Sequence, residues 1–389
     1  LLETCVPIPV KSLIISWRSI ALSLLLSVVV GLLAVAEPID RIAESAVGWN
    51  AWRPVSGDTV ILALDDKTMN AVEDRDFNVL HHAKLIGAVD ATPAKRLFVD
   101  FSYDRRLKDR DFPKLANAVR HMGKRIVLAV PGNNTEGTTT VVNNWPDPAF
   151  GTEAKQGCIC WEYDFWQVWR VPLAVSANGR LLPSFSALLA DRQPDRPGIF
   201  SLDLSYDTKT ITQYSAIDLM SGKLDPELLR GKDVIFAPAA ATSPDQHYLP
   251  GHDKVFGAYI HLIAGEALKR GNPIDIGWAP PLGVAAIILL GALAFGSSRW
   301  YLHIALGTTL LLIVAKVLLG LSLISVQIGA ACFLVVALST NVSRTRRRHS
   351  AQRENPISGL PNFEALRTQA AFGSATVVAA KVVNFEDLA

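Results

Sequence analysis

Four long apolar segments constrain this chain more than any other feature. The first is "LIISWRSIALSLLLSVVVGLLAVA" (13–36). The others crowd together: "PPLGVAAIILLGALAFG" (280–296), "WYLHIALGTTLLLIVAKVLLG" (300–320) and "LSLISVQIGAACFLVVALST" (321–340). Each is long enough, or nearly so, to cross a hydrocarbon core of roughly 30 Å. Between the first and the second lie residues 37–278, polar enough to fold in water. No A-x-A-like cleavage site closes the first segment, so it reads as an uncleaved anchor and not as a secretory signal. A mean hydropathy of +0.25, high for a soluble protein, agrees with a chain that is partly membrane-embedded.

Basic residues set the expected orientation. Lys11 and Arg18 open the first segment, Arg299 lies in the loop after the second, and Arg344, Arg346, Arg347 and Arg348 follow the fourth. If every segment crosses once, these positions share one face, which the positive-inside rule makes cytoplasmic. Residues 37–278 then stand in the periplasm. Both termini are inside, and the protein is a multi-pass resident of a bacterial inner membrane with the bilayer as its first partner. Lys316 falls near the outer end of the third segment, where it can snorkel. A net charge of +2 points to no acidic partner. The arginine cluster directly behind an apolar segment reads as a topological marker in contact with anionic lipid, and no nucleic acid is expected. The chain starts at Leu1 instead of Met and stops at Ala389 within an apolar stretch, so it is expected to be a fragment at both ends.

Residues 37–278 alternate strand-like and helix-like runs. "TVILALDD" (59–66), "RLFVDFSYD" (96–104), "KRIVLAVPG" (124–132) and "GKDVIFAPAA" (231–240) read as strands. "VLHHAKLIGAVDA" (79–91), "FPKLANAVRHMG" (112–123) and "VFGAYIHLIAGEALKRG" (255–271) read as helices. That alternation implies an α/β extracytoplasmic domain with a mostly parallel sheet covered by helices. Residues 133–200 break the rhythm and read as a long excursion with strands of its own. Cys158 and Cys160 form a single C-x-C pair, read as partly buried thiols or an exported bridge in preference to a metal site.

In open parallel sheets, ligands sit beyond the carboxyl ends of the strands. Asp65, Asp66, Asp100 and Asp245 all fall there, so they are the candidate ligand residues, together with His261 on the last helix. The competing reading is that Asp65 and Asp66 cap the following turn and Asp100 is a paired structural carboxylate. His247, His252 and His261 lie near Asp245 without a recognised zinc spacing, and no metal is expected. The run "WEYDFWQVW" (161–169) reads as core packing before ligand platform or dimer surface. No Gly-rich phosphate loop, Ser-His-Asp pattern or Cys-His pair supplies a catalytic residue in 37–278.

These elements together resemble the second class of CHASE extracellular sensor domains over about residues 37–341. Asp65 and Asp66 match the family's Ile-Asp-Asp strand. Asp245, the Pro250-Gly251 turn and the Gly257-x-x-x-His261 helix match its closing motifs. "EDRDFNVLHH" (73–82) replaces the Trp-Pro and Arg stretch often found there. The resemblance implies a receptor for an unidentified small-molecule or protein signal, with three helices over 279–341 behind the sensor and a homodimeric assembly.

After a linker (342–354), "ENPISGLPNFEAL" resembles the opening of a GGDEF domain: Gly359, Leu360, Pro361 and Asn362 match, while Asn355, Ile357, Ser358 and Phe363 depart. "VVAAKVVNFEDL" (377–388) resembles that family's first core strand, but Lys381 and Val383 occupy the two metal-ligand Asp positions. Mg²⁺ requires oxygen ligands, and a lysine ammonium repels it. Mg²⁺ is therefore expected only for an intact output domain, and no cofactor for this chain. The resemblance implies a cyclic-di-GMP signalling protein whose GGDEF part does not cyclise GTP. Two alternatives stand beside it: phosphodiesterase activity through a downstream EAL domain, and a ligand-free membrane scaffold.

Overall fold

The run at 59–64 is buried along its length, as a central strand of a parallel sheet must be. The computed structural model describes residues 17–33, 37–72, 76–103, 109–135, 138–140, 144–164, 167–271 and 279–295, with isolated helical positions between 303 and 342. The expected cytoplasmic linker, the GGDEF-like tail, Lys381 and Val383 lie outside the described residues.

The chain divides into two compact units, one comprising residues 34–280 with 310–329, the other the remaining segments at the two ends. In the latter, α1 (Trp17–Leu32) and α9 (Ala279–Phe295) are 16 and 17 residues long. At 1.5 Å per residue they rise about 24 and about 26 Å. Among the described residues no helix is long and apolar enough to cross a membrane.

The larger unit opens with the amphipathic helix α2 (Glu37–Trp49), followed by β1 (Thr59–Leu64), α3 (Asp66–Ala71), α4 (Val79–Asp90), β2 (Arg96–Val99), α5 (Phe112–Met122) and β3 (Ile126–Pro131). Next come β4 (Asn133–Thr135), β5 (Thr138–Thr140), β6 (Lys155–Ile159), β7 (Glu162–Asp164), β8 (Gln167–Ala177), β9 (Arg180–Pro183), α6 (Phe185–Leu189) and β10 (Gly198–Ser201). The unit closes with β11 (Gln213–Ser215), α7 (Ala216–Met220), β12 (Asp233–Pro238), β13 (Gln246–Tyr248), β14 (Lys254–Phe256) and α8 (Gly257–Arg270).

The main sheet has the order β11-β1-β12-β2-β3-β6, and every pairing in it is parallel. Alternate side chains feed two cores. Ile61, Phe98, Val127 and Ile235 pack with α6, α8 and the second sheet. Val60, Leu62, Leu97, Val99, Val234 and Phe236 pack with α4, α5 and α7 on the other face. The expected α/β domain with a mostly parallel sheet is therefore what forms. The excursion contributes β7, β8, β9 and β10 to a second sheet, β10-β8-β13-β14 with β7 and β9 also on β8, which β13 and β14 complete from later in the chain. It also supplies β6 to the main sheet, a strand the sequence reading does not separate from its surroundings. The strand expected over 96–104 ends at Val99, and the Asp100 N–H makes its last ladder bond, to the Phe236 carbonyl.

At the amino ends of β2 and β12, Arg96 clamps Asp233 through two bonds of 2.8 and 2.7 Å, both side chains almost fully buried. Burial opposes the Arg96 charge, but Asp233 and Asp191 outweigh it and hold the guanidinium charged. The ion pair fixes the register of the two strands whose opposite ends carry the candidate site.

Candidate functional site

Asp65 is a helix cap. Its carboxylate accepts from the Thr68 N–H (2.9 Å) and from the hydroxyls of Thr68 (2.7 Å) and Ser215 (2.6 Å). Burial raises its pKa, but these donors prevail and hold it below the usual carboxylate range. Asp66 is exposed and accepts from the Ala241 N–H at 3.2 Å. The capping alternative is therefore the one realised at Asp65, and Asp66 braces the loop after β12.

Asp100, Asp245 and His261 do come together. Asp100 follows β2, Asp245 lies in the loop after the neighbouring strand β12, and His261 stands one turn into α8. Asp245 receives the Gly257 N–H at 3.2 Å on one oxygen and His247 Nε2 at 2.8 Å on the other. It thus sits at the amino end of a 14-residue helix, where the helix dipole favours an anion. The second ring nitrogen of His247 meets the Tyr163 hydroxyl. Trp161 lies between two imidazoles, with its ring centroid 4.6 Å from His247 and 5.2 Å from His261.

Gly257 makes this assembly possible. A Cβ there would stand 2.7 and 2.8 Å from the Asp245 oxygens and 2.9 Å from the Trp161 ring. His261, four residues later, lies on the same helix face. The Gly-x-x-x-His spacing is therefore a device that admits a carboxylate and an indole at the first turn and presents an imidazole beneath them. Gly257→Ala is expected to cost about 2 kcal/mol through overpacking, read as a lower urea midpoint with an unchanged slope.

Electrostatics mark Asp100 and His261 as the unusual members. Burial, then the neighbouring Asp245 charge, push the Asp100 carboxyl well above its ordinary value. Burial lowers His261 to about 4, against the pull of Asp245 and with a small push from His247, so its ring is neutral. Both its nitrogens are buried without a hydrogen-bond partner. Among the described residues no group of three or more His, Cys, Asp or Glu is arranged to hold a metal ion. His252 faces away to the Leu204 carbonyl at 3.1 Å.

The run at 161–169 resolves into β7 and β8. Trp161 and Trp169 are buried, the latter beneath the Arg41 guanidinium at 4.1 Å, while Tyr163 is exposed. Core packing and site lining are thus one role at Trp161, which the sequence reading treats as alternatives. Cys158 and Cys160 form a disulfide immediately before Trp161. The bridge closes a loop of only three residues, so reducing it is expected to lower stability by only about 1.5 kcal/mol. Equilibrium unfolding with and without reductant checks that value.

Residues 22–297 match the CHASE2 domain family. No curated protein and no solved structure matches the chain.

Proposed function

This chain belongs to the CHASE2 domain family, and from that premise we propose that it is a bacterial membrane receptor whose outer domain controls a cyclic-di-GMP output. CHASE2 is an extracellular sensor domain of signalling receptors. The family match, which spans the whole α/β domain, is the observation that carries the reading. The distribution of arginines about the apolar segments supports the placement of residues 37–278 outside the cytoplasm. The Gly-Leu-Pro-Asn motif at 359–362 supports the output class, and Lys381 supports an output domain without cyclase activity.

The candidate site has a physical route to α2. The loop carrying Asp245 continues through β13, which carries His247, to Pro250 and Gly251. Gly48 of α2 packs there so closely that a Cβ on it would stand 2.2 Å from the Pro250 carbonyl oxygen. In turn, a Cβ on Gly251 would stand 2.2 Å from the Ser45 carbonyl oxygen. A signal that favours one arrangement of the crevice loop thereby biases α2, which follows α1 in the chain. Such a signal acts only through unequal affinity for two states.

The test is the cellular cyclic-di-GMP level set by the full-length receptor. Asp100→Asn in the crevice and Gly48→Ala at the α2 seat are each expected to change it about threefold or more, a coupling of the usual allosteric size. Stable, membrane-inserted variants that leave the level unchanged contradict the reading. Conversion of GTP by the purified full-length protein contradicts the loss of cyclase activity.

A further inference from the structure

The buried cluster of Asp100, Asp245 and His261 contains more polar capacity than the protein itself uses. His261 is 0% exposed, and neither of its nitrogens has a partner. The Trp161 ring lies against it, centroid to centroid 5.2 Å. Buried polar groups are ordinarily hydrogen-bonded, and each exception calls for an explanation. Here the exceptions adjoin two carboxylates at the carboxyl ends of adjacent parallel strands, the position where open α/β sheets bind ligands. We propose that the crevice takes a small organic cation with N–H donors, a protonated amine, held between Asp100 and Asp245 and reaching His261 and Trp161. This inference rests on the sensor reading of the crevice.

The facing groups select that class. Among the described residues, Asp100, Asp245, His247, His261 and Tyr163 are the titratable groups around the site, and none of these is a permanent cation. Asp245 already accepts one bond on each oxygen, and a carboxylate oxygen has room for a second. A neutral His261 ring has one nitrogen to accept an ammonium N–H and one to donate. An anion meets the Asp245 carboxylate. A quaternary ammonium has no N–H for His261 or for either carboxylate. A metal ion finds no group of ligands arranged for it among the described residues.

Binding has a proton balance. In the free protein burial, and then Asp245, oppose ionisation of the Asp100 carboxyl. An incoming ammonium supplies the counter-charge that favours the ionised form, so amine binding draws a proton off this carboxyl. Affinity then rises about tenfold per pH unit below the Asp100 pKa.

The experiment is titration calorimetry of the full chain in lipid nanodiscs with putrescine and with arginine amide. Each is run in two buffers of different ionisation enthalpy, at about pH 6 and about pH 7, with choline, inorganic phosphate and zinc as comparisons. The expected result is saturable amine binding that releases protons and is tighter at the higher pH, with no binding of choline or phosphate. Asp100→Asn abolishes the proton release and weakens binding about tenfold or more. If that variant does not fold, the pH dependence of the parent decides. Absence of amine binding, binding without proton release, or preferential binding of phosphate, choline or zinc overturns the inference. The sensor reading fails separately, if folded Asp100→Asn and His261→Gln receptors leave cellular cyclic-di-GMP unchanged.

Discussion

Acidifying the sensor domain from about pH 7 to about pH 4 is expected to withdraw about 6 kcal/mol of histidine-linked stability. Two buried imidazoles carry it. His82 is lowered from 6.5 to about 4, chiefly by burial, with a backbone bond from Phe77 opposing and His81 adding. His261 is lowered from 6.5 to about 4, again chiefly by burial. In both cases the unfolded chain takes up its proton near 6.5 while the folded chain refuses it until about 4. Stability is therefore complete above the unfolded pKa, falls as pH drops through that window, and levels off below it, at about 3 kcal/mol for each ring. Asp100 works in the opposite sense. Its folded pKa is raised, so its contribution is present below the unfolded value of 3.8 and is lost as pH rises towards the folded pKa. Denaturant unfolding across this range separates the terms. Asp100→Asn should steepen the acid loss, and His82→Gln, which keeps a partner for the Tyr103 hydroxyl, should reduce it by about 3 kcal/mol. Parallel pH profiles for the three proteins would refute the assignment.

Gly251→Val is expected to cost roughly 4 kcal/mol and lower the thermal midpoint by about 10 °C. Two effects add. Gly251 has φ +73, which a β-branched residue adopts only under strain. Its Cβ would also meet three backbone atoms, the Ser45 oxygen at 2.2 Å, the Trp49 nitrogen at 2.6 Å and the Gly48 Cα at 2.7 Å. Backbone cannot move aside as a side-chain tip does, so α2 must leave its seat. Gly57→Val is the control. Its φ is +80, but nothing lies within 4 Å of its Cβ, so only the strain remains, roughly 1–2 kcal/mol. Equal losses at the two glycines would show that the α2 seat contributes nothing. In the receptor, the same substitution should uncouple the crevice from the output even at temperatures where the domain stays folded.

Much of the sheet is legible from sequence because its strands are short, apolar and separated by helices of clear periodicity. β1, β3, β12, α4, α5 and α8 all fall where those patterns place them. β6 and β11 escape for a physical reason. "KQGCI" and "QYS" are short and partly polar, and each pairs with a single neighbour in the main sheet, so neither needs a long apolar run. At the site, strand-end geometry correctly gathers Asp100 and Asp245 but cannot separate them from Asp65. An Asp before a helix looks the same in sequence whether its carboxylate turns to Thr68 and Ser215 or to a ligand. Trp161 and Gly257 carry a weak signal only: a Gly four residues before a His on an apolar helix marks a close approach without saying what approaches. The disulfide between Cys158 and Cys160 is one of two readings left open by their spacing.

The account stands on the crevice facing outward. The most direct measurement is labelling of a single introduced thiol, Lys223→Cys, in intact cells with a membrane-impermeant maleimide, after Cys5 and Cys332 are replaced by Ser. Lys223 is exposed on the sensor domain, and Cys158 and Cys160 are buried in their disulfide. The account predicts full labelling without permeabilisation. Labelling that appears only after the inner membrane is opened would place the domain in the cytoplasm and contradict it.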